Sequence, residues 1–185
     1  MGKREDILMA TLDLITEEGL QSITFAKIFK RANVASATFY YYFENKEELV
    51  NELYKQSRID MGEVVMEKYD SNVSIYERFK YFLKNVMDYA IKYPKELWFM
   101  ENYSHSPYIS EELRNMNDKS MTEFFTILSE GQKQGFIKSM DINLCCQLVF
   151  GVILSVAKGL LLKKYKLSDL EIIQIIESCW KLIRI

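Results

Sequence analysis

The stretch Thr24-Phe-Ala-Lys-Ile-Phe-Lys-Arg-Ala-Asn-Val-Ala-Ser-Ala-Thr-Phe-Tyr-Tyr-Tyr-Phe43 decides how this chain folds. Its first part places Phe25, Ile28, Phe29 and Ala32 at i, i+3, i+4 and i+7, the spacing of a short helix with one apolar face. Thr24 stands where an N-cap belongs. Asn33-Val34 then makes a corner, because asparagine tolerates the left-handed backbone that a tight turn between helices often needs. A second short helix follows, from Ala35 to near Phe43. Two short helices meeting at such a corner, with helices before and after, describe a helix-turn-helix, whose second helix lies in the DNA major groove.

Outward from this stretch the hydrophobic spacing stays helical. Ile7, Leu8, Leu12 and Ile15 form a face that Gly19 closes. Asn45 and Glu48 resemble a capping box ahead of a longer helix carrying Leu49, Val50, Leu53 and Tyr54. Ser74 and Glu77 form a second box, opening a helix through Phe79, Leu83, Val86 and Ala90 that Pro94 ends. A short aromatic helix runs from Glu96 to near Tyr103, and Ser110 starts another that is expected to continue to Gly131 or Gly135. Asp141 caps a very apolar helix, and Ser168 with Glu171 caps the last. No segment alternates long enough to read as a strand, so the expectation is all-α with about nine helices.

Composition agrees. Hydrophobic residues make up 49% and charged residues 27% of 185, which excludes a disordered or collagen-like chain. Seven glycines and two prolines leave little material for the turns of an all-β sandwich. A single histidine, His105, argues against His-rich metal sites and multi-His catalysis, and no nucleophile–base pair or phosphate loop is present; neither enzyme chemistry, metal nor cofactor is expected. Cys145, Cys146 and Cys179 lie in apolar surroundings without CxxC spacing and read as reduced, buried thiols of a cytoplasmic protein. No signal peptide is apparent. The apolar window Leu144 to Leu162 carries Gln147, Ser155 and Lys158, which favours an interface helix over a membrane span.

The net charge of −2 speaks weakly against a nucleic-acid partner until it is sorted by position. Between Ser22 and Lys46, the cations Lys27, Lys30, Arg31 and Lys46 oppose Glu44 alone, a local +3. That is a basic footprint of the kind phosphate contact requires. Tyr40, Tyr41 and Tyr42 offer hydroxyls to phosphates and flat rings to sugars and thymine methyls.

Residues from about Arg4 to Leu53 resemble the DNA-binding domain of TetR-family transcriptional regulators. The resemblance rests on Thr24-Phe-Ala-Lys-Ile28, Ala32-Asn-Val34, Thr38-Phe-Tyr40, Tyr42-Phe43 and Lys46-Glu-Glu-Leu49, which follow the family's spacing without a gap. Departures are Asn33 for the usual corner glycine, Phe29 for an alanine, and Ala35, Ser36 and Ala37 where Ser, Lys and Gly are common. The resemblance implies a helix-turn-helix domain over 1–48 and a larger helical effector-binding and dimerisation domain over 49–185. It implies Thr24, Thr38, Tyr40 and Lys46 as backbone contacts and Tyr41 and Tyr42 as groove or backbone contacts, with Ser36 able to supply a nearby hydroxyl.

The resemblance further implies a dimeric repressor, released from a palindromic double-stranded operator by a small-molecule effector. Met87, Tyr89, Trp98, Phe99, Tyr103, Phe124, Phe125 and Phe150 are the candidate lining of a mostly apolar pocket, fitting an apolar or amphipathic ligand. Gly151, Ser155 and Gly159 recur every four residues, and with Ile172, Ile176 and Trp180 they are the candidate homodimer face. A helical adaptor or lipid-binding protein that has kept the fold without DNA binding is the other reading.

Overall fold

A computed structural model describes residues 2–116 and 119–185. Among them are ten α-helices, one 3-10 turn and no strand. The helices are α1 (Lys3–Glu18), α2 (Phe25–Ala32), α3 (Ser36–Tyr42), α4 (Lys46–Met66), α5 (Ile75–Lys92), α6 (Pro94–Tyr103), α7 (Glu111–Arg114), α8 (Lys119–Lys133), α9 (Ile142–Leu161) and α10 (Asp169–Ile183). The single helix expected from Ser110 to the Gly131–Gly135 region is two: α7 is one turn long and ends at Arg114. Ser110 caps it, accepting the Leu113 N–H, and Asn115 ends it after a single turn at φ −91°, ψ 6°. The chain divides into two compact units, residues up to Arg58 with Lys95–Met116, and Ile59–Pro94 with the remainder from Asn117 on. The division falls inside α4 and so differs in make-up from a cut at residue 48.

In the first unit, α1 packs against α2 and α3. Phe39 is fully buried, its ring centroid 5.2 Å from Phe25 and 5.3 Å from Phe29. Phe29, the bulky substitute, is therefore accommodated by repacking around Phe39. Gly19 ends α1 at φ 81°, and Asn33 ends α2 at φ 51°, ψ 55°, the left-handed corner expected of it. Lys95–Met116 joins this unit through polar bonds that no local pattern announces. The Asn51 amide donates to the Tyr108 carbonyl (2.7 Å) and accepts the Ser110 N–H (2.9 Å). Tyr103 accepts the Leu20 N–H at 3.2 Å, and Lys95 pairs with Asp13.

In the second unit, α5 packs against α8, α9 and α10. Phe79, Phe82, Val86, Phe124, Leu128, Val149, Ile153, Ile176 and Trp180 fill the core between them. One charged group lies within it. Arg78, 6% exposed, donates to Glu123 at 2.8 Å, to Glu130 and to the Tyr69 hydroxyl at 2.9 Å. Burial alone would depress the guanidinium pKa, and these hydrogen bonds more than reverse it. The full capping box at Ser168 and Glu171 is present. Ser74 accepts the Glu77 N–H at 3.3 Å, while Glu48 reaches the Glu44 N–H at 2.6 Å.

Candidate nucleic-acid interface

The recognition helix α3 is held from below and open above. Phe39 and Phe43 anchor it in the first unit's core, and the opposite face carries Ser36, Ala37, Tyr40 and Tyr41, the two tyrosines 52% and 82% exposed. Thr38 and Tyr42 are half-buried, with the Tyr42 ring edge-on to Tyr41 at 4.9 Å. Thr24 caps α2, its hydroxyl accepting the Lys27 N–H at 3.4 Å. Ala35 occupies the N-cap position of α3 with no side-chain hydrogen bond to give.

The cations are less free than their sequence positions suggest. Lys27 donates to Glu18 and to the Ser22 carbonyl, and Arg31 makes a paired contact with Glu17 (3.0 and 2.6 Å) with Asp13 at 4.0 Å. The Arg31 hydrogen bond holds the Glu17 carboxyl below its usual range. Counting Asp13, Glu17 and Glu18 with the footprint cancels its +3. Among the described residues Lys30 is the cation of α2 with no ion pair. The three acids sit on α1, nine to eighteen positions upstream of the cations they meet, so no local window shows them.

Lys46 is also bonded within the chain. Its ammonium donates to the carbonyls of Leu20 (2.7 Å) and Ile23 (3.0 Å) and lies 5.4 Å from the centre of the Tyr108 ring. Burial pushes its pKa below the usual lysine value. In this arrangement Lys46 ties α4 to the turn before α2.

The residues expected to line an effector pocket fall into two sets. Trp98, Phe99 and Tyr103 belong to the first unit, where Phe99 packs edge-on to Tyr54 at 6.2 Å. Met87, Tyr89, Phe124, Phe125 and Phe150 belong to the second, where Phe124 stacks on Phe82 at 4.8 Å and meets Phe150 at 5.3 Å. Met87, Tyr89, Phe99 and Phe124 are buried, while Phe125 and Phe150 are half-buried. Two cavities elsewhere in the second unit, of about 370 Å³ and about 300 Å³, are lined by other residues: the first by Val152, Leu167 and Ile175 among others, the second by Lys68, Lys80 and Lys84 among others.

The expected dimer face also needs redrawing. Ile172, Ile176 and Trp180 are buried in their own chain, Trp180 lying 5.1 Å from Phe79. Gly159 is small because Tyr165 lies over it; a Cβ there would stand 2.0 Å from the tyrosine hydroxyl. Gly151 and Ser155 are exposed as expected, in line with exposed Leu144 and Leu148 along α9. On α10 the open apolar side chains are Leu170, Ile173 and Leu182. Both faces of α10 are apolar in sequence, and only packing tells which one the monomer covers.

Known proteins align with these features. Residues 7–53 match the family described as bacterial regulatory proteins, tetR family. Residues 54–185 match the tetracyclin repressor-like C-terminal domain. The chain belongs to the TetR family of transcriptional regulators, which are DNA-binding proteins and not enzymes. An uncharacterised HTH-type transcriptional regulator of Haemophilus influenzae is 25% identical over 181 residues, covering 97% of this chain and 95% of its own. The fatty acid metabolism regulator protein of Bacillus subtilis is 27% identical over 161 residues, 82% of this chain and 79% of its own. The crystal structure of the transcriptional regulator FadR from Bacillus subtilis, in complex with stearoyl-CoA, shares the fold at a TM-score of 0.71 and 22% identity, covering 96% of each chain.

Proposed function

We propose that this protein is a dimeric repressor in the cytoplasm, released from a palindromic operator by an amphipathic effector with a long apolar part. The observation that carries the DNA half is the open face of α3, where Ser36, Tyr40 and Tyr41 stand clear of the core while Phe39 and Phe43 fix the helix. Thr24, Thr38, Tyr40, Tyr41 and Tyr42 are the proposed DNA contacts, with Lys30 added as a phosphate contact and Lys46 acting as the tie described above. Two recognition helices set one DNA turn apart, roughly 34–36 Å, would read a two-fold-symmetric site.

The dimer is supported by α9. This helix is long and apolar enough by composition to cross a membrane, yet only 28% of its most apolar window is buried. The proposed cover is a second copy, laid along exposed Leu144, Leu148, Gly151 and Ser155 and along Leu170 and Ile173 of α10. An acyl chain carrying an anionic head is the proposed effector class, supported by the name of the Bacillus subtilis relative. In the second unit, Phe125 and Phe150 are half-buried members of the expected pocket with surface left to give to it.

The test is selection of bound DNA from random sequence by the full chain, followed by sedimentation of the complex and addition of acyl-CoAs of graded length. A palindromic site, two chains per duplex and release by the longer acyl-CoAs are expected. The pairing of Lys27, Arg31 and Lys46 within the chain favours a second reading, a helical adaptor or lipid-binding protein that has lost DNA binding. Failure to enrich any sequence at low salt without effector would establish that reading instead.

A further inference from the structure

The recognition helix lacks the side chains that ordinarily discriminate bases. Bidentate readout of guanine takes arginine or lysine, readout of adenine takes asparagine or glutamine, and a carboxylate reads cytosine. The helix α3 is Ser-Ala-Thr-Phe-Tyr-Tyr-Tyr and holds none of them. The flanking amides, Asn33 at the corner before the helix and Asn45 capping α4 after it, lie outside the helix. Of the flanking cations, Lys27, Arg31 and Lys46 are each bonded within the chain, and Lys30, on α2, is the phosphate contact proposed above.

What this face does present is methyl groups and aromatic rings. Ala35, Ser36 and Ala37 are exposed at the N-terminal turn, the part of a recognition helix that approaches base edges. One turn further on, Tyr41 projects its ring with 82% of its surface open. The feature of the major groove that such a surface recognises is the 5-methyl group of thymine, the one apolar group on any base edge there.

Given the DNA-binding reading above, we infer that each operator half-site is specified by thymine methyl groups read by Ala35, Ala37 and Tyr41, in place of bidentate contacts to guanine or adenine. Discrimination then comes from apolar contact, and the hydroxyls of Ser36 and Tyr40 set register on the backbone.

The test starts from sites selected with the full chain and replaces thymine by uracil one position at a time, which removes only the methyl group. Affinity is read by fluorescence anisotropy at fixed salt. Uracil beneath α3 is expected to weaken binding about fourfold for each methyl taken out of contact, as for one buried methylene-sized group. Replacing the same T·A pair by 5-methylcytosine·guanine is expected to bind better than plain cytosine·guanine. Tyr41→Ala, on a largely exposed side chain, is expected to abolish the sensitivity at one position and leave the others. Equal binding of uracil-substituted and natural sites overturns the inference while leaving DNA binding intact. Enrichment of no sequence at all removes the DNA-binding reading and this inference with it.

Discussion

Replacing Lys46 with methionine removes three N–H donors while keeping an unbranched stem of similar length. The ammonium makes two charge-assisted bonds to the Leu20 and Ile23 carbonyls, each worth about 1.5–3 kcal/mol net when well shielded. Its position by the Tyr108 ring adds about 0.5–1 kcal/mol. Lys46 is only half-buried, so water recovers part of the lost bonding. The desolvation that depresses its pKa is also relieved on substitution. A net loss of about 2–3 kcal/mol remains, which in a chain of this size lowers Tm by about 5–10 °C. The assay is thermal unfolding followed by circular dichroism, run beside a salt titration of DNA affinity. The slope of log affinity against log salt is expected to stay unchanged, because the ammonium is held by the Leu20 and Ile23 carbonyls. A Tm within a degree of the parent protein, together with a slope shallower by about one unit per subunit, would refute the reasoning and return Lys46 to the DNA.

Arg78→Met leaves Glu123 and Glu130 without their common cation. It is expected to cost about 3–5 kcal/mol in urea unfolding, and adding Glu123→Gln and Glu130→Gln should recover most of it; no recovery would show that the charge pairing is not the cause. Ala35→Ser supplies the side-chain cap that α3 lacks, at a backbone conformation (φ −73°, ψ 155°) suited to it. A gain of about 1 kcal/mol is expected, and an unchanged Tm would mean that the end of α3 is already satisfied. Alkaline stability follows from the thiols: burial pushes Cys146 and Cys179 up to about 11 from an ordinary value of 9.0. The unfolded chain therefore loses these protons first, and stability falls as pH rises from about 9 towards 11, by up to about 1.4 kcal/mol per pH unit for each thiol. Cys146→Ala with Cys179→Ala should flatten that decline, and an equally steep decline in the double variant would assign it elsewhere.

Much of this protein is legible without coordinates because it depends on neighbours in sequence. The helix-turn-helix follows from apolar spacing between Phe25 and Ala32, a cap at Thr24 and the left-handed tolerance of Asn33, and each of these acts within one or two turns. The same is true of the caps at Ser74, Ser110, Asp141 and Ser168. The break after Arg114 has no such local mark, because Ser110 signals where a helix starts and nothing nearby signals that it lasts one turn.

The sequence by itself determined the fold class, the corner that aims α3 and the identity of its anchors, because helical periodicity and capping are local. Tertiary structure decided the charge and the free surface. Whether Lys27 and Arg31 face solvent or a carboxylate depends on α1, and whether Lys46 faces solvent or backbone carbonyls depends on the Leu20–Ile23 turn, elements that meet only after folding. Whether Ile176 or Ile173 faces outward depends on which side of α10 the chain's own core covers. Electrostatic pairing and burial are relations between distant segments, and packing alone brings those segments together.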